Sequence, residues 1–197
     1  MAKRVILGGI LGGLTMFVWL FVAHELLPIG AMGVKEIPNE ASVLGPMQAA
    51  IHEPGFYIYP GFELGPNPTS AQRNEAMPAY MKKYEQSPHG VLIYHPPSGA
   101  FSFGKLLATE GALNLLQGLL VALLLSWAAA GTGYATRVGF VVVVGIIAAL
   151  STNLEYWNWY DFPSAYVAGY LITQVVGFLL VGLVAAAFVK SEQGARS

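Results

Sequence analysis

From Val5 to Ala23 the chain runs without a single ionisable side chain. Three later stretches are nearly as apolar: Leu106–Ala130, Val138 to about Tyr156, and about Ala165 to Val189. A helix needs roughly 20 residues to cross the ~30 Å hydrocarbon layer of a bilayer, and each stretch has about that length. Glu110 is the one charge of the second, Glu155 lies near the end of the third, and the fourth has none. Membrane β-strands would be shorter and would alternate, so helices are the expected form. The fold class read from the sequence is membrane all-α, with four transmembrane helices and a small α+β extracytoplasmic insertion between helices 1 and 2. Composition agrees: 55% of residues are hydrophobic, 11% are charged and mean hydropathy is +0.55, against roughly 25% charged in soluble domains.

Threading follows from the basic residues, because Lys- and Arg-rich loops stay cytoplasmic. Lys3, Arg4, Arg137, Lys190 and Arg196 fall on one side with Glu192 as the only acid. Lys35, Arg73, Lys82, Lys83 and Lys105 fall on the other with the ten remaining acids. Both termini are therefore expected inside. The expected order is a first helix over 1–27, a periplasmic insertion over 28–105, helices 2–4 over 106–190 and a cytoplasmic tail over 191–197. Met1-Ala2-Lys3-Arg4 before an apolar run also begins like a secretory signal, but the run is long for one and Phe21-Val22-Ala23 is a poor cleavage site.

The insertion holds eleven of the twelve prolines and reads as an aqueous unit. Asn39 is expected to cap a short helix through about Ile51, interrupted at Gly45-Pro46. Phe56–Tyr59 and Val91–His95 read as strands between Pro and Gly punctuation, and part of Ser70–Gln86 as a helix carrying Pro78. Such a unit without disulfides should be marginal on its own. The loops Gly131–Arg137 and Trp157–Ser164 are short, so helices 2, 3 and 4 are expected to lie side by side.

A net charge of −1 offers no basic surface for nucleic acid. The absence of cysteine excludes disulfides and thiolate metal sites, and no nucleotide-binding or hydrolase motif is present. His24, His52, His89 and His95 show no metal-ligand spacing, so no metal, catalytic residue or cofactor is assigned.

Three groups of residues carry the functional expectations. Gly8, Gly9, Gly12 and Gly13 form overlapping small-xxx-small pairs, a close-packing face for a helix of this chain or of another subunit. Tyr156, Trp157, Trp159 and Tyr160 match an interfacial aromatic belt, with a partner-docking surface as the alternative. Glu110, Asn114 and Gln117 share one stripe of helix 2. Tyr166, Tyr170, Gln174 and Gly177 share one of helix 4, and Gln117 and Gln174 fall at similar depth. His24, Glu110, Asn114, Gln117, Asn153, Glu155 and Gln174 make a polar cluster in the outer half of the membrane. It reads either as a packing network or as a ligand or proton site, since intramembrane acids face the bundle interior, water or headgroups.

The basic start, the glycine-rich first helix, Tyr94-His95-Pro96, and Glu155-Tyr156-Trp157-Asn158-Trp159-Tyr160 followed by Phe162-Pro163 together resemble a group of small bacterial four-helix inner-membrane proteins. The resemblance covers nearly the whole chain. It implies a bacterial inner-membrane location and carries over no site residues. The function expected first is a non-catalytic accessory or scaffold subunit of a larger membrane complex, with the lipid bilayer and other membrane subunits as partners. The alternative is a small transport or ligand-binding protein, as a homo-oligomer, that uses the polar cluster.

Overall fold

The computed structural model of the chain describes residues 2–128 and 132–189. The expected tail over 191–197, the basic Lys190 and Arg196, Ala130 at the end of the second apolar run, and Gly131 lie outside the described residues.

Four helices are long and apolar enough to cross a membrane: Ala2–Leu26, Phe103–Ala128, Tyr134–Tyr160 and Ser164–Phe188. Helix α1 (Ala2–Phe21) runs on into a π-helical turn over Val22–Leu26, closed by the Leu27 amide donating to the Val22 carbonyl. Helix α4 (Phe103–Ala128) starts three residues before the apolar run, because Ser102 receives the Lys105 amide on its hydroxyl. Helix α5 (Tyr134–Ala149) passes through a second π turn, Leu150–Leu154, into α6 (Glu155–Tyr160). The aromatic stretch expected to start a loop at Trp157 is therefore helical, and only residues 161–163 separate it from α7 (Ser164–Phe188). Asp161 ends α6 in the left-handed conformation at φ 52°, which an Asp tolerates better than most residues.

The chain divides into two compact units, Met1–Val34 with Phe101–Ser197, and Lys35–Ala100. Residues 28–34 thus belong with the helices. The Gly30 amide donates to the Ala23 carbonyl, and a Cβ on Gly169 of α7 would lie 2.9 Å from the Ile29 carbonyl oxygen.

Glycine sets the helix packing of the first unit. A Cβ added to Gly13 would sit 2.6 Å from the Asn114 carbonyl oxygen and the Leu115 Cα, and one on Gly9 would sit 2.8 Å from the Leu119 Cα. At Gly118 it would strike the Gly9 and Gly13 backbone. Backbone thus lies on backbone where α1 crosses α4, the approach that small residues permit. Gly8 and Gly12 point elsewhere, toward Phe188, Ala185 and Val181 of α7. The four glycines therefore form two faces, since successive helical residues are rotated by about 100°, and each face is filled by a helix of the same chain. On α7, Gly182 takes Val141 of α5 at 3.1 Å from its added Cβ. Helices α4 and α5, expected side by side because their loop is short, touch little: α1 packs on α4 and α7, and α5 packs on α7. Val121, Leu125, Val141, Val181 and Ala185 form the buried core of this arrangement.

In the second unit the order is α2 (Ala41–Ala50), β1 (Gly55–Tyr59), α3 (Ser70–Gln86) and β2 (Gly90–Tyr94). The strands pair antiparallel, with Tyr57 opposite Leu92. Helix α2 continues through Gly45-Pro46, against expectation. The residue before a proline avoids helix because its Cβ meets the pyrrolidine ring, and Gly45 has none. Asn39 does not cap with its side chain; it adopts φ 52° and its carbonyl accepts the Ser42 amide and hydroxyl. Helix α3 covers the whole of Ser70–Gln86, opened by a Thr69–Gln72 capping box, with Pro78 inside. A ring ladder holds this unit together: Phe62 stacks on Tyr80 at 3.9 Å, Tyr80 meets Tyr84 at 6.0 Å, and Tyr84 stacks on His89 at 4.1 Å.

Candidate ligand cavity

Beyond the glycine crossing α1 and α4 separate. Opposite Gly111 the nearest atom of α1 is on the Phe17 ring, 3.7 Å from an added Cβ, and no longer backbone. The space opened there is a cavity of about 770 Å³ bounded by α1, its π turn, α4 and α7, within the ~300–1,000 Å³ usual for small-molecule sites. Its walls are mostly apolar, with Phe17, Phe21 and Phe103 among them. Its polar lining is His24, Glu25, Glu110, Asn114, Gln117, Tyr170 and Gln174.

Each polar group has a local reason for its position. Glu110, Asn114 and Gln117 follow one face of α4. Asn114 is 1% exposed and its Nδ2 donates to Glu110 Oε1 at 2.9 Å. The π turn re-aims the end of α1, and π turns often mark functional positions. His24 Nδ1 there donates to the Leu20 carbonyl at 2.9 Å, and its ring meets Tyr170 edge-on at 6.4 Å. Tyr170 ends an aromatic series through Tyr166 (4.7 Å), Phe162 (5.6 Å) and Tyr156 (5.3 Å). Below the cavity, Trp19 Nε1 donates to the Thr173 carbonyl at 2.8 Å, tying α1 to α7.

Of the polar cluster read from the sequence, His24, Glu110, Asn114, Gln117 and Gln174 come together on one cavity. Asn153 and Glu155 do not join them. Asn153 is buried in its own π turn, with Nδ2 donating to the Ala149 carbonyl at 3.1 Å, and Glu155 is exposed. Depth alone brought these two into the expected group, whereas α5 packs on α7 and not on the α1–α4 pair. Phe17, Phe21 and Phe103 carry no polar group that marks them within an apolar run, although Phe17, Phe21 and Glu25 recur every four residues and so share one face. Trp157 Nε1 donates to Ser164 Oγ at 3.1 Å, while Trp159 is 76% exposed. Among the described residues no three His, Asp or Glu side chains are placed to hold one metal ion.

No protein-family model matches the chain, and no curated protein and no solved structure matches it either.

Proposed function

We propose that this is a multi-pass protein of a bacterial inner membrane that binds a small amphipathic molecule in the cavity among α1, α4 and α7. The basic flanks favour cytoplasmic termini and a periplasmic 28–105 segment. Large apolar side chains such as Ile10, Leu14, Leu120, Ile147 and Leu183 stand exposed on the four long helices, and hydrocarbon is the surrounding that suits them. The observation that carries the binding role is the cavity itself, with apolar aromatic walls and convergent carboxylate, amide and phenol groups. Polar groups at that depth are costly, at least ~2.5 kcal/mol for a charge near the bilayer centre, and a purely structural network would satisfy them. The Gln117 and Gln174 amides have no hydrogen-bond partner among the described residues.

The accessory-subunit role rests on a narrower base. The glycine faces of α1 are occupied by α4 and α7 of the same chain, which leaves the exposed aromatic end, Trp157 and Trp159, as the surface for another subunit.

The test is native mass spectrometry of the chain extracted into nanodiscs, compared with Leu113→Trp, which fills the cavity from α4. A bound small molecule or lipid retained by the wild type and lost in the variant is the expected result. Identical spectra with no bound molecule would sink the binding role, and stoichiometric companion subunits would favour the accessory one.

A further inference from the structure

The charge inventory of the cavity defines the class of molecule it takes. Glu25 and Glu110 line it and, among the described residues, no Lys or Arg does. His24 is the only basic group there among the described residues, and its Nδ1 donates to the Leu20 carbonyl. Neither glutamate has a cationic partner among the described residues. A carboxylate has about four acceptor sites. Among the described residues Glu110 receives one donor, Asn114 Nδ2 at 2.9 Å, and Glu25 receives none. Glu110 is half-buried and Glu25 exposed at this lining, and two carboxylates with so few protein donors beside apolar walls are complementary to a ligand of positive charge.

The rest of the lining defines what must surround that charge. Phe17, Phe21, Phe103 and Tyr170 line the same space, and an aromatic face attracts a desolvated cation. Met16, Leu20, Leu107 and Leu113 complete apolar walls that would repel a strongly hydrated ion. Gln117 and Gln174 lie on the lining at the side away from His24 and Glu25, seven residues along α4 from Glu110 and four along α7 from Tyr170. We infer that the cavity binds a lipophilic organic cation, its charge between Glu25 and Glu110 and its apolar groups against the phenylalanine rings.

This inference rests on the binding role proposed above, and it is tested with probes that match in shape and differ in sign. The full chain in nanodiscs is titrated with tetraphenylphosphonium and, separately, with tetraphenylborate, against protein-free nanodiscs. The expected result is saturable uptake of about one phosphonium per chain, weakened at least about tenfold in Glu110→Gln and in Glu25→Gln, with no saturable uptake of the borate. Glu110→Gln keeps the acceptor for Asn114, and Glu25 is exposed on the π turn, so at least one variant tests charge without loss of fold. Equal uptake of both probes, abolished by Leu113→Trp and unchanged by either glutamate variant, overturns the preference for cations and leaves the binding role standing. Uptake of neither probe overturns both.

Discussion

The two compact units of this chain are held by opposite means. Where α1 crosses α4, Gly9, Gly13 and Gly118 bring backbone onto backbone, and α4, α5 and α7 bury Leu125, Val141, Val181 and Ala185 almost completely. In Lys35–Ala100 only Pro60 and Tyr94 are buried. Rings stacked along one face of α3 and an exposed ion pair, Lys83–Glu63, do the holding there. Stability is concentrated at a few irreplaceable atoms in the first unit and spread over surface contacts in the second, so equal-sized changes should have unequal effects.

The largest difference is expected within α4 itself. In Gly118→Ala the new methyl strikes the α1 backbone, and neither helix can yield without separating. A loss of about 3 kcal/mol or more follows, the upper part of the range for overpacking. Gly111→Ala places the same methyl 3.7 Å from the Phe17 ring, an ordinary contact, and gains about 0.5–1 kcal/mol of helix propensity. Unfolding of the two variants in detergent, followed by circular dichroism, should therefore diverge strongly. Equal midpoints would mean that α1 and α4 are not in backbone contact.

Next in size is Tyr80→Ala, which removes the middle ring between Phe62 and Tyr84. At about 0.5–1.5 kcal/mol for each aromatic pair, the loss is about 1–3 kcal/mol and local. Amide hydrogen exchange should quicken through α3 and β2 and stay unchanged in α1, α4 and α7. Unchanged exchange in α3 would show that the ladder is not what orders this unit. Smaller still is Trp19→Phe, which deletes the bond to the Thr173 carbonyl. Interhelical hydrogen bonds in membrane proteins average about 0.6 kcal/mol, so the thermal midpoint should fall by only a degree or two. A larger fall would assign the indole a packing role beyond its N–H.

What could be read from the sequence follows the same division. Length and hydropathy suffice to delimit four long helices, because an apolar run of about 20 residues has few other solutions. The stripe Glu110, Asn114, Gln117 was legible for the same reason: 3.6 residues per turn fixes which side chains share a face. Which helix each face meets was not legible. The four glycines of α1 read as one face, but their two faces are defined by neighbours over a hundred residues away, Leu119 and Ala185. The two π turns left no pattern, since one extra residue per turn shifts the phase without changing composition. Asn153 and Glu155 lie away from the cavity because α5 packs on α7 and not on the α1–α4 pair. In the second unit, Gly45 hid the continuity of α2 behind a proline that usually ends a helix.

The smallest expected effect lies in the surface pairing of the second unit and carries a sign. Lys83 Nζ donates to Glu63 Oε1 and also to the Gly61 carbonyl at 3.3 Å. The hydrogen bond first, and the lysine's charge second, hold the Glu63 carboxyl below its ordinary value of 4.5. A carboxyl lowered in the folded state contributes stability that is present above its unfolded pKa and is lost as pH falls through its folded pKa. The contribution should therefore be complete above about pH 4.5 and vanish on further acidification. Because the carboxylate is exposed, salt should screen the effect as well. An NMR titration of the full chain with labelled glutamate checks this: Glu63 should titrate at lower pH in the wild type than in Lys83→Met, and the gap should narrow in 1 M salt, where the Debye length is only about 3 Å. Coincident titrations would show that the pair forms too rarely in solution to order the segment, leaving the ring ladder to hold α3 and its loop together alone.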